Sequence, residues 1–355
     1  MKRIVFTGGG TAGHVTPNIA LIAKLREKDY EIHYIGSYQG IEKELIEKLG
    51  VPYYGISSGK LRRYFDRKNF SDIFRVIRGF REAKKLLRQL NPDIVFSKGG
   101  FVSVPVVMAA KRCKIPAIIH ESDMTPGLAN KLAIPAAVKV CANFPETVQY
   151  LPEGKAVLTG TPIRRELFAG NRLRGLEFCG FLADRPVILV VGGSTGALAV
   201  NEAVRNLLPT LLKRFQVIHL CGKGKMDTAY NNIAGYVQYE YISAELSDLF
   251  AAADLVISRA GANAVCELLA LRKPMILIPL SAAASRGDQI LNAESFEHQG
   301  FAYVISEEEL TNETLLTAVN EVYDNRDNYI QAMKNSKQTD AAETIVQLIE
   351  ETVGK

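Results

Sequence analysis

Short apolar segments, glycine-bearing turns and helical segments follow one another along most of the chain, and this alternation constrains the fold most. The apolar segment at residues 3–7 runs into the loop GGGTAG at residues 8–13, and a helical segment follows to about residue 28. Apolar strands that alternate with helices are typical of a parallel sheet covered by helices on both faces. Further strands of this kind are predicted at residues 31–35, 93–97 and 117–120.

The same pattern restarts in the second half of the 355-residue chain. A strand at residues 187–191 is followed by the loop GGSTG at residues 192–196 and by a helix over residues 197–215. The predicted fold class is therefore α/β, with two doubly wound parallel-sheet, Rossmann-like domains, and a cleft is expected at the carboxyl ends of their strands. Three more strands are predicted, at residues 216–220, 255–258 and 275–280.

Composition excludes several other classes of protein. With 47% hydrophobic and 23% charged residues the chain can bury a core, which excludes a disordered chain. The five cysteines form no C-x-x-C pair, so neither a disulfide framework nor a zinc ribbon is indicated. No apolar run approaches the roughly 20 residues of a membrane span, and no signal-peptide core is visible, so we expect the chain to stay in the cytoplasm.

The net charge of +5 conceals an uneven distribution of charge. Residues 1–164 contain 26 Lys and Arg against 14 Asp and Glu, whereas residues 165–355 contain 17 against 24. Residues 60–88 alone contain 11 basic and 3 acidic residues. A basic half indicates an anionic partner, which at this point is either a nucleic acid or an anionic membrane surface.

The first glycine loop satisfies the pattern G-x-G-x-x-G between a strand and a helix, which allows backbone N–H groups to approach a phosphate. A dinucleotide site would also need an acidic residue at the end of the second strand, where residues 34–37 read YIGS. The alternatives are a phosphate-binding loop and a tight turn needed only for packing. The second loop is not a P-loop, because Lys and Ser or Thr do not follow its last glycine.

Two later turns also carry polar residues. The segment RAGAN at residues 259–263 precedes Glu267, which is predicted in the first turn of a helix, either in a functional role or as a partner of the helix dipole. The segment DQILNA at residues 288–293 carries amides that either bind sugar hydroxyls or cap a helix.

Several segments in a fixed order carry a resemblance to a known family. They are GGTAGHV at residues 9–15 with Pro17, GGFVS at 99–103, HE at 120–121, GLANK at 127–131, the loop at 192–196, SRAG at 258–261, Glu267, Pro279, Gln289 and Asn292 with Ala293. Together they resemble the MurG family of peptidoglycan N-acetylglucosaminyltransferases, which belong to the GT-B class of glycosyltransferases. The resemblance extends over essentially the whole chain.

The resemblance implies an activity and a domain plan. The activity is transfer of GlcNAc from UDP-GlcNAc to the C4 hydroxyl of MurNAc in lipid I (undecaprenyl-pyrophosphoryl-MurNAc-pentapeptide), with inversion, to make lipid II. Residues 1–163 would form the acceptor and membrane-docking domain and residues 164–339 the donor domain. Residues 340–355 would form a helix that packs back on the first domain, and the protein would be peripheral at the cytoplasmic face of the cell membrane.

The resemblance also implies roles for individual residues. Ser194 would contact the donor diphosphate, Ile242 the uracil and Glu267 the ribose hydroxyls. Two positions depart from the family: Ala12 stands where many members have Gly, and Asp123 where some have Asn. The implied donor-binding residues are Thr11, Ala12, Gly13, Asp123, Arg164, Ser194, Ile242, Glu267, Gln289 and Asn292, of which Gln289 and Asn292 would bind GlcNAc hydroxyls. The implied acceptor-binding residues are His14, Gly100, Ser103 and Asn130.

An inverting transfer needs a base for the acceptor hydroxyl and a way to stabilise the departing diphosphate. His14 is the first candidate base because its ordinary pKa lies near working pH; its alternatives are to bind the acceptor pyrophosphate or to cap the loop. Glu121 is the second candidate base. The sequence contains no Asp-x-Asp motif, so we expect neither a metal nor a cofactor.

The basic segment at residues 60–88 is predicted to contain an amphipathic helix, which either docks on an anionic membrane or buries its whole apolar face in the core. Its apolar residues recur at helical spacing: Phe70, Ile73, Phe74, Ile77 and Phe80. Two other functions compete, another GT-B transferase that uses a UDP-sugar and a nucleic-acid-binding protein. No recognition module is visible for the latter, and no nucleic acid is expected as a partner.

Overall fold

The fold was analysed in a computed structural model. It describes residues 1–59, 68–193, 196–282, 287–336, 338 and 341–354, and for residues 12 and 68–73 the backbone alone. The chain divides into two compact units. The first unit comprises Met1–Arg164 and Asp340–Lys355, and the second comprises Arg165–Thr339.

The first unit contains a parallel sheet of seven strands in the order β3-β2-β1-β4-β5-β6-β7. Its central strands are buried along their length, as expected for a sheet covered on both faces. The strands are β1 (Arg3–Thr7), β2 (Glu31–Ser37), β3 (Tyr53–Ile56), β4 (Ile94–Ser97), β5 (Ala117–Glu121), β6 (Lys139–Ala142) and β7 (Ala156–Leu158).

Helices cover this sheet, and two clusters of buried apolar side chains fill the space between the layers. Short 3-10 turns at Ala12–His14, Ile134–Ala136 and Pro145–Tyr150 join some of them. The helices are α1 (Thr16–Arg26), α2 (Ile41–Glu47), α3 (Lys68–Leu90), α4 (Ser103–Arg112), α5 (Leu128–Ala133) and, at the other end of the chain, α13 (Ala341–Val353).

The second unit contains a parallel sheet of six strands in the order β10-β9-β8-β11-β12-β13. The strands are β8 (Val187–Val191), β9 (Gln216–Leu220), β10 (Tyr236–Tyr239), β11 (Leu255–Ser258), β12 (Met275–Leu277) and β13 (Ala302–Val304). The helices are α6 (Arg172–Cys179), α7 (Leu198–Leu211), α8 (Leu246–Ala252), α9 (Ala262–Ala270), α10 (Asp288–His298), α11 (Asn312–Asp324) and α12 (Arg326–Lys334). Two doubly wound parallel sheets confirm the predicted fold class.

Two predicted boundaries in the second unit are wrong. β12 ends at Leu277 rather than residue 280, since Arg259 donates to the carbonyls of Ile278 and Pro279 and holds that segment as a loop. α7 ends at Leu211 rather than residue 215, because the bonds that follow are i→i−3: the N–H groups of Lys213 and Arg214 donate to the carbonyls of Thr210 and Leu211.

The C-terminal helix α13 lies against α1 in the first unit. Ile345, Val346 and Ile349 are fully buried in the same apolar cluster as Leu21 of α1. Lys24 pairs with Glu343 at 2.7 Å, and Lys28 pairs with Glu350 at 2.8 Å. Asp340, the first residue of this predicted segment, lies outside the described residues.

Helix α3 carries the basic segment and is only partly covered by the core. Ala83 and Leu87 are fully buried, whereas Phe74 is 73% and Ile77 44% exposed. Residues 60–67 and the side chains of Phe70 and Ile73 lie outside the described residues. Burial of the whole apolar face, one of the two alternatives, is therefore wrong for the described part of this helix.

Among the helices of the described residues, none combines the length and the apolar character that a membrane crossing requires.

Candidate active site

In the first unit the strand order reverses between β1 and β4, and two glycine segments follow these adjacent strands. Ligands of doubly wound sheets bind at such a switch point, outside the carboxyl ends of the strands. The first glycine loop, residues 8–13, follows β1, and Gly99-Gly100 follows β4. The two segments touch, since a side chain at Gly100 would collide with the carbonyl of Gly9.

Side chains from neighbouring elements fix the start of the first glycine loop. The Tyr34 hydroxyl donates to the carbonyl of Gly8 at 2.7 Å. The Asn18 amide donates to the carbonyl of Thr7 and to Tyr34, both at 3.2 Å. Gly8 has φ +155°, and a Cβ there would lie 2.7 Å from the carbonyl of His14, so this position requires glycine.

His14 ends the 3-10 turn that leads out of this loop and is half-buried. Its Nδ1 lies 3.0 Å from the hydroxyl of Thr11. Burial, and then the positive charge of Lys98, lower its pKa to about 4, against smaller opposing effects of a hydrogen bond to Gly9 and the charge of Glu42. The expectation of an ordinary histidine pKa is therefore wrong, and the imidazole is neutral at neutral pH.

Glu121, the second candidate base, is buried and holds the loop that follows β5. Its Oε1 accepts from the N–H of Asp123 at 2.9 Å. Its Oε2 accepts from the N–H of Gly127 at 3.0 Å and from the amide of Asn130 at 2.9 Å. Because three donors of the protein already occupy this carboxylate, it is a much poorer candidate for taking a substrate proton than His14.

The predicted acceptor-binding residues lie at the same edge of the sheet. Ser103 is fully buried, and its hydroxyl donates to the carbonyl of Gly100 at 2.7 Å. Asn130 is 6% exposed, and none of the described groups donates to its Oδ1. His120 is buried, donates from Nε2 to the carbonyl of Gly160 at 2.8 Å, and burial lowers its pKa well below the usual value.

Sequence reasoning missed two buried charged residues beside the first glycine loop, Lys98 and Glu42. Lys98 is 1% exposed, and its ammonium hydrogen-bonds the hydroxyl of Ser122. Glu42 is fully buried and accepts from the N–H of Gly10 at 3.2 Å. A lysine directly before Gly99-Gly100 was a visible signal for the first. The second comes from a helix 32 residues further along the chain, and its only signal is the pair of glycines, Gly36 and Gly40, that precedes it.

In the second unit the strand order reverses between β8 and β11. The second glycine loop follows β8 and leads into α7, whose first N–H groups face the loop. Gly193 and Gly196 have φ of +84° and +70°, and a side chain at Gly196 would collide with the carbonyl of Cys221. Ser194, the predicted contact of the donor diphosphate, lies outside the described residues.

Glu267 is the sixth residue of α9, which begins at Ala262. The prediction that it lies in the first turn is wrong, and with it the alternative of a helix-dipole partner, because that effect fades within one turn. The side chain is half-buried on the helix that directly follows β11. Glu267 therefore lies on the helix that follows β11, one of the two strands at the switch point of the second sheet.

The remaining predicted donor-binding residues are spread over both units. Gln289, in α10, accepts from the N–H of Leu280 at 3.0 Å. Asn292 is 2% exposed and donates to the carbonyl of Ala260 at 3.1 Å, while its Oδ1 has no partner among the described residues. Ile242 is half-buried in the loop after β10.

The other predicted donor-binding residues belong to the first unit. Thr11 and Gly13 lie in the first glycine loop, together with the backbone of Ala12, and Asp123 follows β5. Arg164 is the last residue of the unit before α13, and its buried Nε lacks a partner among the described residues.

A buried polar network supports the second glycine loop and was missed by sequence reasoning. His219 bonds to Tyr236 and Asn201, both at 3.0 Å, and Asn201 donates to the carbonyl of Cys221 beside Gly196. Burial lowers the pKa of His219 to about 3. Lys225 donates to the carbonyl of Gly196 at 3.1 Å. These hydrogen bonds hold the backbone at the end of the second glycine loop.

A cavity of about 610 Å³ lies beside this network, between α7 and the segment after β9. None of the predicted donor-binding residues is among the described residues that line it. It is lined by Leu198, Glu202, Arg205, Asn206, Lys225, Met226, Asp227, Thr228 and Tyr230.

Comparison with known proteins decides the family. Residues 4–142 match the glycosyltransferase family 28 N-terminal domain, and residues 187–348 match the glycosyltransferase family 28 C-terminal domain. A protein of Lachnoclostridium phytofermentans is 78% identical over 99% of both chains, and one of Lachnospira eligens is 65% identical over the same share. Both are named UDP-N-acetylglucosamine--N-acetylmuramyl-(pentapeptide) pyrophosphoryl-undecaprenol N-acetylglucosamine transferase. The chain belongs to the MurG family.

The solved structures agree with membership of the MurG family. The crystal structure of Acinetobacter baumannii MurG is 26% identical, with a TM-score of 0.78 over 99% of this chain and 100% of that one. The glycosyltransferase of kitacinnamycin, 16% identical with a TM-score of 0.73, shares the fold. As a family member the chain is a glycosyltransferase, and it has the GT-B fold.

Proposed function

We propose that this chain transfers GlcNAc from UDP-GlcNAc to the C4 hydroxyl of MurNAc in lipid I, with inversion at the anomeric carbon, and so makes lipid II. The observation that carries the proposal is the 78% identity, over 99% of both chains, to a relative whose name states this donor sugar and this acceptor.

We assign the acceptor and the membrane contact to residues 1–163 and the donor to residues 164–339, with residues 340–355 as a helix of the first domain. In the donor domain, Glu267 would accept hydrogen bonds from the ribose, Ile242 would contact the uracil, and Gln289 with Asn292 would bind the sugar hydroxyls. The Oδ1 of Asn292 supports this role: it is buried and has no partner among the described residues, which is costly unless a ligand supplies one.

The proposed chemistry uses His14 as the general base. Its neutral imidazole takes the proton from the C4 hydroxyl while that oxygen attacks the anomeric carbon of GlcNAc. The bond between the anomeric carbon and the diphosphate oxygen breaks, and UDP leaves with the electron pair. The second glycine loop and the N-terminus of the 14-residue helix α7 offer N–H groups to the negative charge that develops on the diphosphate.

The proposed membrane contact uses the exposed part of α3. Phe74 and Ile77 are exposed beside the exposed basic residues Arg75, Arg78 and Arg81. Apolar side chains flanked by Lys and Arg are the combination that binds the surface of an anionic bilayer. The proposed location is therefore the cytoplasmic face of the cell membrane, as a peripheral protein.

The linkage and the stereochemistry are tested together on the product. Incubation of the purified protein with UDP-GlcNAc and a soluble lipid I analogue should give one disaccharide product. Its proton NMR spectrum should show a β-anomeric GlcNAc linked to C4 of MurNAc. An α-anomer, or a linkage to another hydroxyl, would contradict the proposed reaction.

A further inference from the structure

Glu42 is a fully buried carboxylate in the first turn of α2, and the protein's own backbone occupies both of its oxygens. Oε1 accepts from the N–H of Ser37 at 3.1 Å and from its hydroxyl at 2.5 Å. Oε2 accepts from the N–H of Gly10 at 3.2 Å. The side chain therefore joins the end of β2 to the first glycine loop.

Glycines leave room for this carboxylate. A Cβ at Gly9 would lie 2.5 Å from the carboxyl carbon of Glu42. A Cβ at Gly36 would lie 2.3 Å from the hydroxyl of Tyr53 and 3.0 Å from Cγ of Glu42. A Cβ at Gly40 would collide with both carboxylate oxygens. Because Gly9 of the first loop and Gly40 before α2 both lack a side chain where they face this carboxylate, the site of Glu42 is a built feature rather than an accident of packing.

The carboxylate also changes the interpretation of the loop pattern. An acidic group does lie at the end of β2, although no residue of that strand supplies it. It binds the N–H of Gly10 instead of a ligand hydroxyl, so this N–H is not available to a phosphate. The loop is thereby fixed between Glu42 on α2 and Gly100 after β4.

Charged and titratable groups from four elements surround the ring of His14 and this carboxylate. Glu42 raises the pKa of His14, whereas Lys98, after β4, lowers it. The negative charge of Glu42 also contributes to raising the pKa values of Tyr34 in β2 and Tyr53 in β3. Glu42 and Lys98 thus act on His14 with opposite sign.

We propose that Glu42 is a positioning residue of the transfer reaction, which holds the first glycine loop in shape beside His14. It acts through the loop and through His14, and the inference rests on the proposed role of His14 as base. Neither substrate needs to touch Glu42.

The first test is steady-state turnover of Glu42→Gln. The glutamine has the same shape, but one of its termini donates and cannot accept from both Ser37 and Gly10. We expect kcat to fall by about 10- to 100-fold, the range that a hydrogen bond to a charged group supports, with a much smaller change in the KM for UDP-GlcNAc. Glu44→Gln is the matched control, since that carboxylate pairs with Lys48 on the surface of the same helix.

The second test needs no substrate and follows the ring proton of His14 by NMR. Lys98→Met removes a positive charge, so the pKa of His14 should rise. Adding Glu42→Gln to Lys98→Met removes the opposing negative charge and should lower that pKa again. Adding Glu42→Asp instead keeps the charge and should leave the titration near that of Lys98→Met, while its shorter side chain still lowers kcat.

The outcomes separate this inference from the proposed function. Normal kcat in Glu42→Gln and an unchanged His14 titration in the double variant would overturn the inference. If Glu42→Gln does not fold, as judged by circular dichroism, the kcat of Glu42→Asp decides it: a normal kcat overturns the inference. Since the NMR titration contains no substrate, a shift of the His14 titration with no transfer by the wild-type protein would overturn the proposed function instead.

Discussion

The protonation of His14 bears directly on its proposed role as the general base. His14 follows the loop directly, and its pKa of about 4 leaves the ring neutral over the whole physiological range. A neutral ring can accept a proton, whereas it holds no positive charge with which to bind a pyrophosphate. A neutral ring meets one requirement of the proposed base.

Replacement of His14 by Ala should lower kcat by about 10²- to 10⁴-fold, the usual contribution of a general base. Binding of UDP-GlcNAc, measured by calorimetry, should change far less, because the proposed contacts to uracil, ribose and sugar, Ile242, Glu267, Gln289 and Asn292, lie in the second unit. His298→Ala is a suitable control, since that histidine is exposed in the last turn of α10. Near-normal turnover in His14→Ala would remove His14 from the mechanism.

The buried His219 should make the protein sensitive to acid. Its folded pKa of about 3 lies below the ordinary value of 6.5, so below pH 6.5 the unfolded chain binds a proton that the native state does not. Its effect is absent above pH 6.5, and the free energy of unfolding falls by up to about 1.4 kcal/mol per pH unit as the pH decreases from there towards 3.

Urea unfolding at several pH values between about 7 and 5 checks this expectation. His219→Gln should lose stability at neutral pH, but its dependence on pH should be shallower than that of the wild type. His120 and His14 also have lowered pKa values and remain in the variant, so part of the slope is retained. Parallel slopes in the two proteins would show that His219 does not titrate in this way.

At the scale of elements, most strands inside the two sheets were predicted, although β6 was missed and β12 was predicted too long. β1, β8, β9 and β11 have the predicted bounds, because an unbroken apolar run buried on both faces leaves little freedom in where it starts and ends. The short edge strands β3, β7, β10 and β13 were not predicted, since their half-exposed residues carry no such run.

The sequence likewise predicted some residues of the candidate site and missed others. The glycine loops and His14 could be predicted because each is a contiguous segment directly after a strand. Glu42 could not, since its partner Gly10 lies 32 residues away and only the fold brings α2 to the loop. Glu267 was placed one turn too early because the sequence does not show that α9 starts at Ala262.

Helix α3 is the element on which the proposed membrane contact depends. Reversal of Arg75, Arg78 and Arg81 to Glu should weaken binding to vesicles of anionic lipid by about 100-fold or more, at roughly 1 kcal/mol for each basic residue lost. Reversal of Lys213, Lys223 and Lys334, which are exposed in the second unit, changes the net charge equally and should have a much smaller effect. Equal binding by the two triple variants, measured by sedimentation, would contradict the assignment to α3.

At the scale of the whole molecule, the uneven charge follows the division into units. Residues 1–164, nearly all of the first unit, contain the excess of basic residues, and the second unit lies within the acidic remainder. An anionic lipid-linked acceptor and an anionic membrane would both be attracted to the basic part. The donor diphosphate needs no such excess, because backbone N–H groups and a helix end can hold it.

The central claim is that this chain joins a UDP-GlcNAc donor to a lipid I acceptor. The most direct measurement is the rate of UDP release after a soluble lipid I analogue is added to the protein and UDP-GlcNAc. We predict that UDP forms only when both substrates are present, and at a rate that saturates with each. Binding of UDP-GlcNAc without any UDP release above the blank that lacks acceptor would contradict the claim.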